Sequence, residues 1–226
     1  MEIWLILALV GLLAILLIVW GVMRERQRDT AMQTVAGQLN FTYERDGRAL
    51  HREPFMRFSL FQAGRRQRMK NLMQGKVDHS EDDPNRGIEV FLFDYRYVTG
   101  SHRDHHNHQQ TVAAFHTVGE KLPEFSLQPE NVLHKIGGLL GYQDIDFEHK
   151  PIFSGRYLLR GPDEAAIREL FKDDVLDFFE KHPGWCVEAG EDWIVVFRKG
   201  RRTEPERVGE FVQEAFELCT MLAIQF

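Results

Sequence analysis

The stretch TGSHRDHHNHQQ, Thr99 to Gln110, gathers His102, His105, His106 and His108 around Asp104. Imidazole is a good ligand for zinc, nickel and copper, and a carboxylate adds an oxygen donor. A working metal site also needs ligands held by a supporting shell of hydrogen bonds. A polar connection between strands supplies little of that, so the competing reading is a solvated hairpin tip. A second candidate is DIDFEH, where Asp144, Asp146 and Glu148 alternate. On a strand they would share one face, able to hold a hard cation or to supply acid–base pairs. The same alternation marks any half-buried strand with Ile145 and Phe147 turned inward. Cys186, with His182 nearby in sequence, is a candidate nucleophile; the alternative is a buried, inert thiol.

Other motifs fail on context. His102-Arg103-Asp104 matches the kinase triplet, but Gln109 stands where the magnesium-binding Asn belongs, and no glycine-rich loop or strand lysine accompanies it. Gly137-Gly138-Leu139-Leu140-Gly141 falls in or after an expected helix, not after a strand, so it is no phosphate cradle. RRQRMK, Arg65 to Lys70, is a basic cluster without interleaved aromatics, read as a solvated turn and strand edge. The 226-residue chain carries a net charge of −6, which argues against nucleic acid as a partner. Cys186 and Cys219 are too few for a disulfide framework. No cofactor is implied.

The elements that would position these residues follow from periodicity. Arg86 to Val98 is the strongest strand, with Glu89, Phe91, Phe93, Tyr95 and Tyr97 on one face. Gln110 to Val118 pairs with it as a hairpin, and the histidine segment connects the two. Phe41-Thr42-Tyr43, Pro54 to Gln62 and Arg156 to Arg160 are further strand candidates; Leu122 to Gln128 is extended. Pro129 is expected to open a helix, since proline suits a first helical turn. Helices are also expected at GPDEAAIRELF and KDDVLDFFEKHPG, a compact hairpin around Ala189 to Asp192, and a closing amphipathic helix from Pro205 to about Ile224. Strands first and mixed elements later predict an α+β domain with a mainly antiparallel sheet.

Ile3 to Val22 is uninterrupted by charge. At ~1.5 Å per residue it matches the hydrocarbon thickness of a bilayer. Trp4 and Trp20 sit near its ends, where indoles favour the headgroup region. A cleaved leader would need a basic start and a shorter apolar run; Glu2 and Arg24 fit a retained anchor better. Arg24, Arg26 and Arg28 follow the run and no basic residue precedes it, which predicts an outer N-terminus and a cytoplasmic C-terminal domain. The same RERQR segment would also favour anionic lipid. Asn40-Phe41-Thr42 is then a chance match to the glycosylation sequon. The expected organisation is an anchor over 1–23, a juxtamembrane helix or linker over 24–40, with Ala31, Val35, Ala36 and Leu39 on one stripe, and a domain over 41–226.

FDYRY at Phe93–Tyr97, FSLQPE at Phe125–Glu130, GYQDIDF at Gly141–Phe147 and YLLRGPDE at Tyr157–Glu164 together resemble a family of uncharacterised bacterial membrane-anchored proteins. The resemblance covers most of the region after the anchor. It implies a bacterial inner-membrane setting and a shared architecture, and it brings no activity and no site residues.

These observations favour a single-pass membrane protein whose domain binds a protein partner or the membrane surface without catalysis. The bilayer itself is the expected partner of residues 3–22. The alternative is a metal-dependent enzyme using Asp144, Asp146 and Glu148. A third reading is metal buffering by the histidine loop.

Overall fold

The computed structural model describes residues 2–48, 50, 53–77, 87–101, 104–117, 119, 121–130 and 141–223. Its first element is one continuous helix, α1 (Glu2–Gln38). The apolar portion is exposed throughout, and an 18-residue window in it has a mean hydropathy of 3.0, long and apolar enough to cross a membrane. The segment after it, expected as helix or linker, continues the same helix without a break. Here burial follows helical spacing: Arg28, Asp29, Met32 and Ala36 are buried on one stripe. Val35 and Ala36 fall on the expected stripe, whereas the fully buried Met32 was not anticipated. The helix closes on Asn40, whose φ of 57° is left-handed. The Phe41 amide then donates back to the Ala36 carbonyl at 2.8 Å, which satisfies one of the last helical carbonyls.

Among the described residues eight strands form one antiparallel sheet: β1 (Thr42–Glu44), β2 (Arg65–Val77), β3 (Ile88–Thr99), β4 (His106–Thr117), β5 (Leu122–Pro129), β6 (Tyr157–Arg160), β7 (Cys186–Glu191) and β8 (Trp193–Phe197). Their spatial order is β1-β2-β3-β4-β8-β7-β5-β6. The chain is therefore α+β with a mainly antiparallel sheet, as its sequence predicts. The β3–β4 hairpin keeps perfect register from Ile88↔Thr117 to Thr99↔His106. Side chains alternate, so the even positions of β3 meet one core and the odd positions meet another.

The first core lies between the sheet and α1, α3 (Pro151–Ser154), α4 (Glu164–Leu170), α5 (Asp173–Lys181) and α6 (Val208–Ala223). Leu92, Phe115, Val196, Phe153, Phe179 and Leu218 are among its buried members. Asp163 caps α4 by accepting the Ala166 amide at 3.1 Å. The second core is aromatic: Phe91, Phe93, Tyr95, Tyr97 and Trp193 face Phe55, Phe58, Leu60 and Phe61.

Several expectations need correction. Pro54 to Gln62 is not a strand but a 3-10 turn (Glu53–Arg57) followed by the short helix α2 (Ser59–Gln62). Its buried aromatics Phe55, Phe58 and Phe61 recur every third residue, a helical spacing rather than a pleated one. Arg65 to Lys70 lies inside β2, not in a turn. Pro129 ends β5 opposite Tyr157 rather than opening a helix; the rest of that expected helix, 131–140, lies outside the described residues. Residues 143–147, expected as a loop or a short strand, are irregular, so the carboxylates there do not line a strand face.

Candidate functional site at the helix–sheet junction

Asp94, on the even face of β3, is the centre of a buried polar cluster. Arg28 reaches it from α1 in a two-pronged pair, Nε to Oδ2 at 2.9 Å and a terminal nitrogen to Oδ1 at 2.8 Å. Both side chains are under a tenth exposed. Asn71 Nδ2 donates to Asp94 Oδ2 at 3.0 Å and Thr111 Oγ1 donates to Oδ1 at 3.1 Å. The carboxylate thus meets the Arg28 guanidinium and two neutral donors directly, with Arg202 Nε a further 3.9 Å from Oδ2, the satisfaction a buried charge requires.

The supports come from distant chain segments. Asn71 sits at a β-bulge between Lys70 and Met73, with a left-handed φ of 53° that asparagine tolerates better than most residues. The bulge turns its side chain toward α1, where its Oδ1 accepts from the Tyr43 hydroxyl at 2.7 Å. Tyr43 is pushed up to about 12 by burial first and by the Asp29 charge second, so the phenol is a donor at neutral pH. Asp29 in turn accepts from Arg45 Nε at 2.7 Å. Thr111 Oγ1 accepts the Thr203 amide at 2.8 Å, tying the segment after β8 to the same point.

One turn nearer the apolar portion, Glu25 pairs with Arg202 at 3.0 Å, and Arg202 also donates to Gln109 at 3.1 Å. Beyond this layer α1 and the sheet part to leave a cavity of about 400 Å³. Leu17, Ile18 and Gly21 form its helix wall; Arg68, Lys70 and Arg96 rise from the sheet. The trend fixes direction: following α1 toward its N-terminus carries one along β3 toward the histidine hairpin.

That end of the sheet is basic. The β2–β3 side contributes Arg65, Arg66, Arg68, Lys70 and Arg96, and the segment after β8 contributes Arg198, Lys199, Arg201 and Arg202, of which Arg198 is matched by Glu214 and Arg202 by Glu25. The opposite end carries Glu89, Glu124, Glu191 and Asp192, interrupted by Lys76 and Lys121. The net negative chain therefore turns a positive end toward its apolar helix.

The residues singled out from sequence do not converge. His105 Nδ1 lies 3.2 Å from Arg65, and His108 Nε2 lies 2.7 Å from Thr99 Oγ1 while its ring stacks on Tyr97 at 4.7 Å. His106 and His108 belong to β4 rather than to a loop, because the strand begins four residues earlier than expected. His102 lies outside the described residues. Asp144 Oδ1 accepts the Leu159 amide at 2.7 Å, an edge contact on β6. Burial raises its pKa, opposed by that hydrogen bond. Asp146 and Glu148 are exposed, while Ile145 and Phe147 point inward. Among the described residues no three histidine, cysteine or acidic side chains are placed to hold a metal. Cys186 is buried and its thiol is pushed up to about 12 by that burial, so it is protonated at neutral pH. Sequence reasoning missed Arg28, Asp94, Asn71 and Arg202 as partners. The only local signal was an acidic residue at an inward position of an otherwise apolar strand face.

No family model matches this chain, and no curated protein matches it. A solved structure is similar in fold: the crystal structure of the mycobacterial trehalose monomycolate transport factor A, TtfA, with a TM-score of 0.58 at 15% identity. The match covers 87% of this chain and 97% of that one. At that identity the likeness is one of fold.

Proposed function

We propose that the chain is a single-pass membrane protein whose domain is a non-catalytic binding module. The module is clamped to its anchor and docks its basic end on the anionic surface of the membrane. The observation that carries this reading is the charge polarity of the sheet relative to α1. Each basic residue near an anionic leaflet contributes about 1 kcal/mol, so several together fix an orientation. The arginines after the apolar run favour the cytoplasmic side of a bacterial inner membrane for the domain under the positive-inside rule. The sequence resemblance to bacterial membrane-anchored proteins agrees with that placement. That a protein of similar fold is a transport factor supports an accessory role over an enzymatic one.

Two spin labels test the orientation in the full chain reconstituted into phosphatidylcholine–phosphatidylglycerol vesicles. A label at His106→Cys should be broadened by a headgroup-bound relaxation agent, and one at Lys121→Cys should not. Equal broadening, or the reverse, would sink the docked orientation. Reporter fusions after Phe226 test the side of the membrane: a periplasmic readout would overturn the cytoplasmic placement.

A further inference from the structure

We propose that the cavity between α1 and the β2–β3 face is a binding site for the phosphate-bearing headgroup of one anionic lipid. The inference rests on the docked orientation above and assigns it a specific pocket. Two walls of opposite character define the ligand. Leu17, Ile18 and Gly21 belong to the apolar run, where headgroup gives way to acyl chain. Facing them, Arg68, Lys70 and Arg96 supply cationic donors.

Most of the charge around the cavity is already matched. Asp94 is held by Arg28, and Arg202 pairs with Glu25 while lying 3.9 Å from Asp94. Lys70 lies 3.9 Å from Glu25, which it shares with Arg202. Among the described residues Arg68 and Arg96 have no acidic partner within ion-pair distance; Arg96 reaches Asn107 at 3.5 Å. The surplus is therefore positive and sits on the sheet wall. Guanidinium forks suit phosphate oxygens. A free phosphate would gain nothing from the leucine and isoleucine wall. A phospholipid fits both: its phosphate meets the arginines and its chains continue along α1 into the bilayer. The cavity's volume suits a headgroup rather than a whole lipid.

Gly21 makes the test clean. A Cβ added there meets nothing within 4 Å, and the same is true at Gly11, away from the cavity. Gly21→Leu therefore intrudes into the cavity without disturbing the helix, and Gly11→Leu is its control. The full chain, purified in mild detergent, is offered phosphatidylglycerol or phosphatidylcholine and weighed by native mass spectrometry. One phosphatidylglycerol per chain should be retained, preferred by about tenfold or more. Arg68→Gln/Lys70→Gln/Arg96→Gln and Gly21→Leu should each lose that preference, while Gly11→Leu keeps it. Glycerol phosphate, the headgroup without chains, should not compete.

Equal retention of the two lipids overturns the site, as does a preference that survives Gly21→Leu. Competition by glycerol phosphate would redefine the cavity as a free-anion site and overturn it too. The two readings fail separately. If the His106 label stays at the bilayer while no lipid is retained, the pocket falls and the docking stands.

Discussion

Asp94 and Glu188 are both buried carboxyl groups on one sheet, one on each face, and they are held in opposite ways. Asp94 meets an arginine delivered by another element, so its burial fastens α1 to the sheet. Glu188 accepts from Ser59 Oγ at 2.6 Å and from the Leu60 amide at 3.2 Å, and the Lys199 charge acts on it only as a lesser influence. Its pKa is raised, by burial first, against the pull of those hydrogen bonds. The α1 face thus uses an ion pair as a clamp, whereas the aromatic face uses an acid as a latch on the segment carrying Phe55 to Phe61. A clamp of the first kind keeps an anchor and its domain in fixed relation. A latch of the second kind responds to pH.

Removing one half of the clamp should cost the molecule most. Asp94→Ala leaves Arg28 buried without its carboxylate and should lower the unfolding free energy by about 3–5 kcal/mol; Arg28→Ala, which keeps Arg202 3.9 Å from Asp94, should cost less. Urea titration of the full chain in micelles, followed by the fluorescence of Trp185 and Trp193, measures it. Arg28→Met/Asp94→Leu replaces the pair by apolar volume and should recover most of the loss, since such swaps are often neutral. Single changes costing less than about 1 kcal/mol would mean the pair is no clamp.

The latch predicts a smaller and pH-dependent effect. The unfolded Glu188 titrates near its ordinary value of 4.5, and the folded one higher. Between those two values the folded state holds the extra proton. Its contribution to stability is complete below about 4.5 and is lost as pH rises toward the folded value. Glu188→Gln should therefore flatten the fall in stability above pH ~5 relative to the parent chain. Ser59→Ala removes a donor to the carboxyl and should cost about 1–2 kcal/mol at neutral pH. A Glu188→Gln profile parallel to the parent's would show that Glu188 is not a pH-sensitive latch.

How far these features show in sequence depends on whether their causes are local. β3 was legible because its aromatic and β-branched residues alternate over a full strand, and α4 because Asp163 caps it three residues before Ala166. The α2 segment misled because aromatic density suggests a strand while the spacing of Phe55, Phe58 and Phe61 obeys a tighter period. The junction itself was illegible. Arg28 and Asp94 are 66 positions apart, and Asn71 joins them only because a bulge reverses its side chain. Nothing local announces a bulge whose cause is the partner strand. The basic end is hidden for the same reason: Arg68, Arg96 and Arg202 become neighbours only through register and the return of the chain after β8.

The histidine hairpin supplies the weakest expected effect, and it marks the limit of what residue type alone implies. His108 is already committed to Thr99 and to the Tyr97 ring, and His105 faces the cationic Arg65. A cation there would have to displace one hydrogen bond and share space with a guanidinium. Replacing His102, His105, His106 and His108 together by Ser should change stability by about 1 kcal/mol, the scale of a lost half-buried stack and hydrogen bond. Equilibrium dialysis against micromolar zinc should show less than one equivalent on the parent chain and no change in the variant. One full equivalent that vanishes with the four serines would make the hairpin a metal site. It would also place a dication at the basic end, where it would compete with the electrostatics that orient the domain.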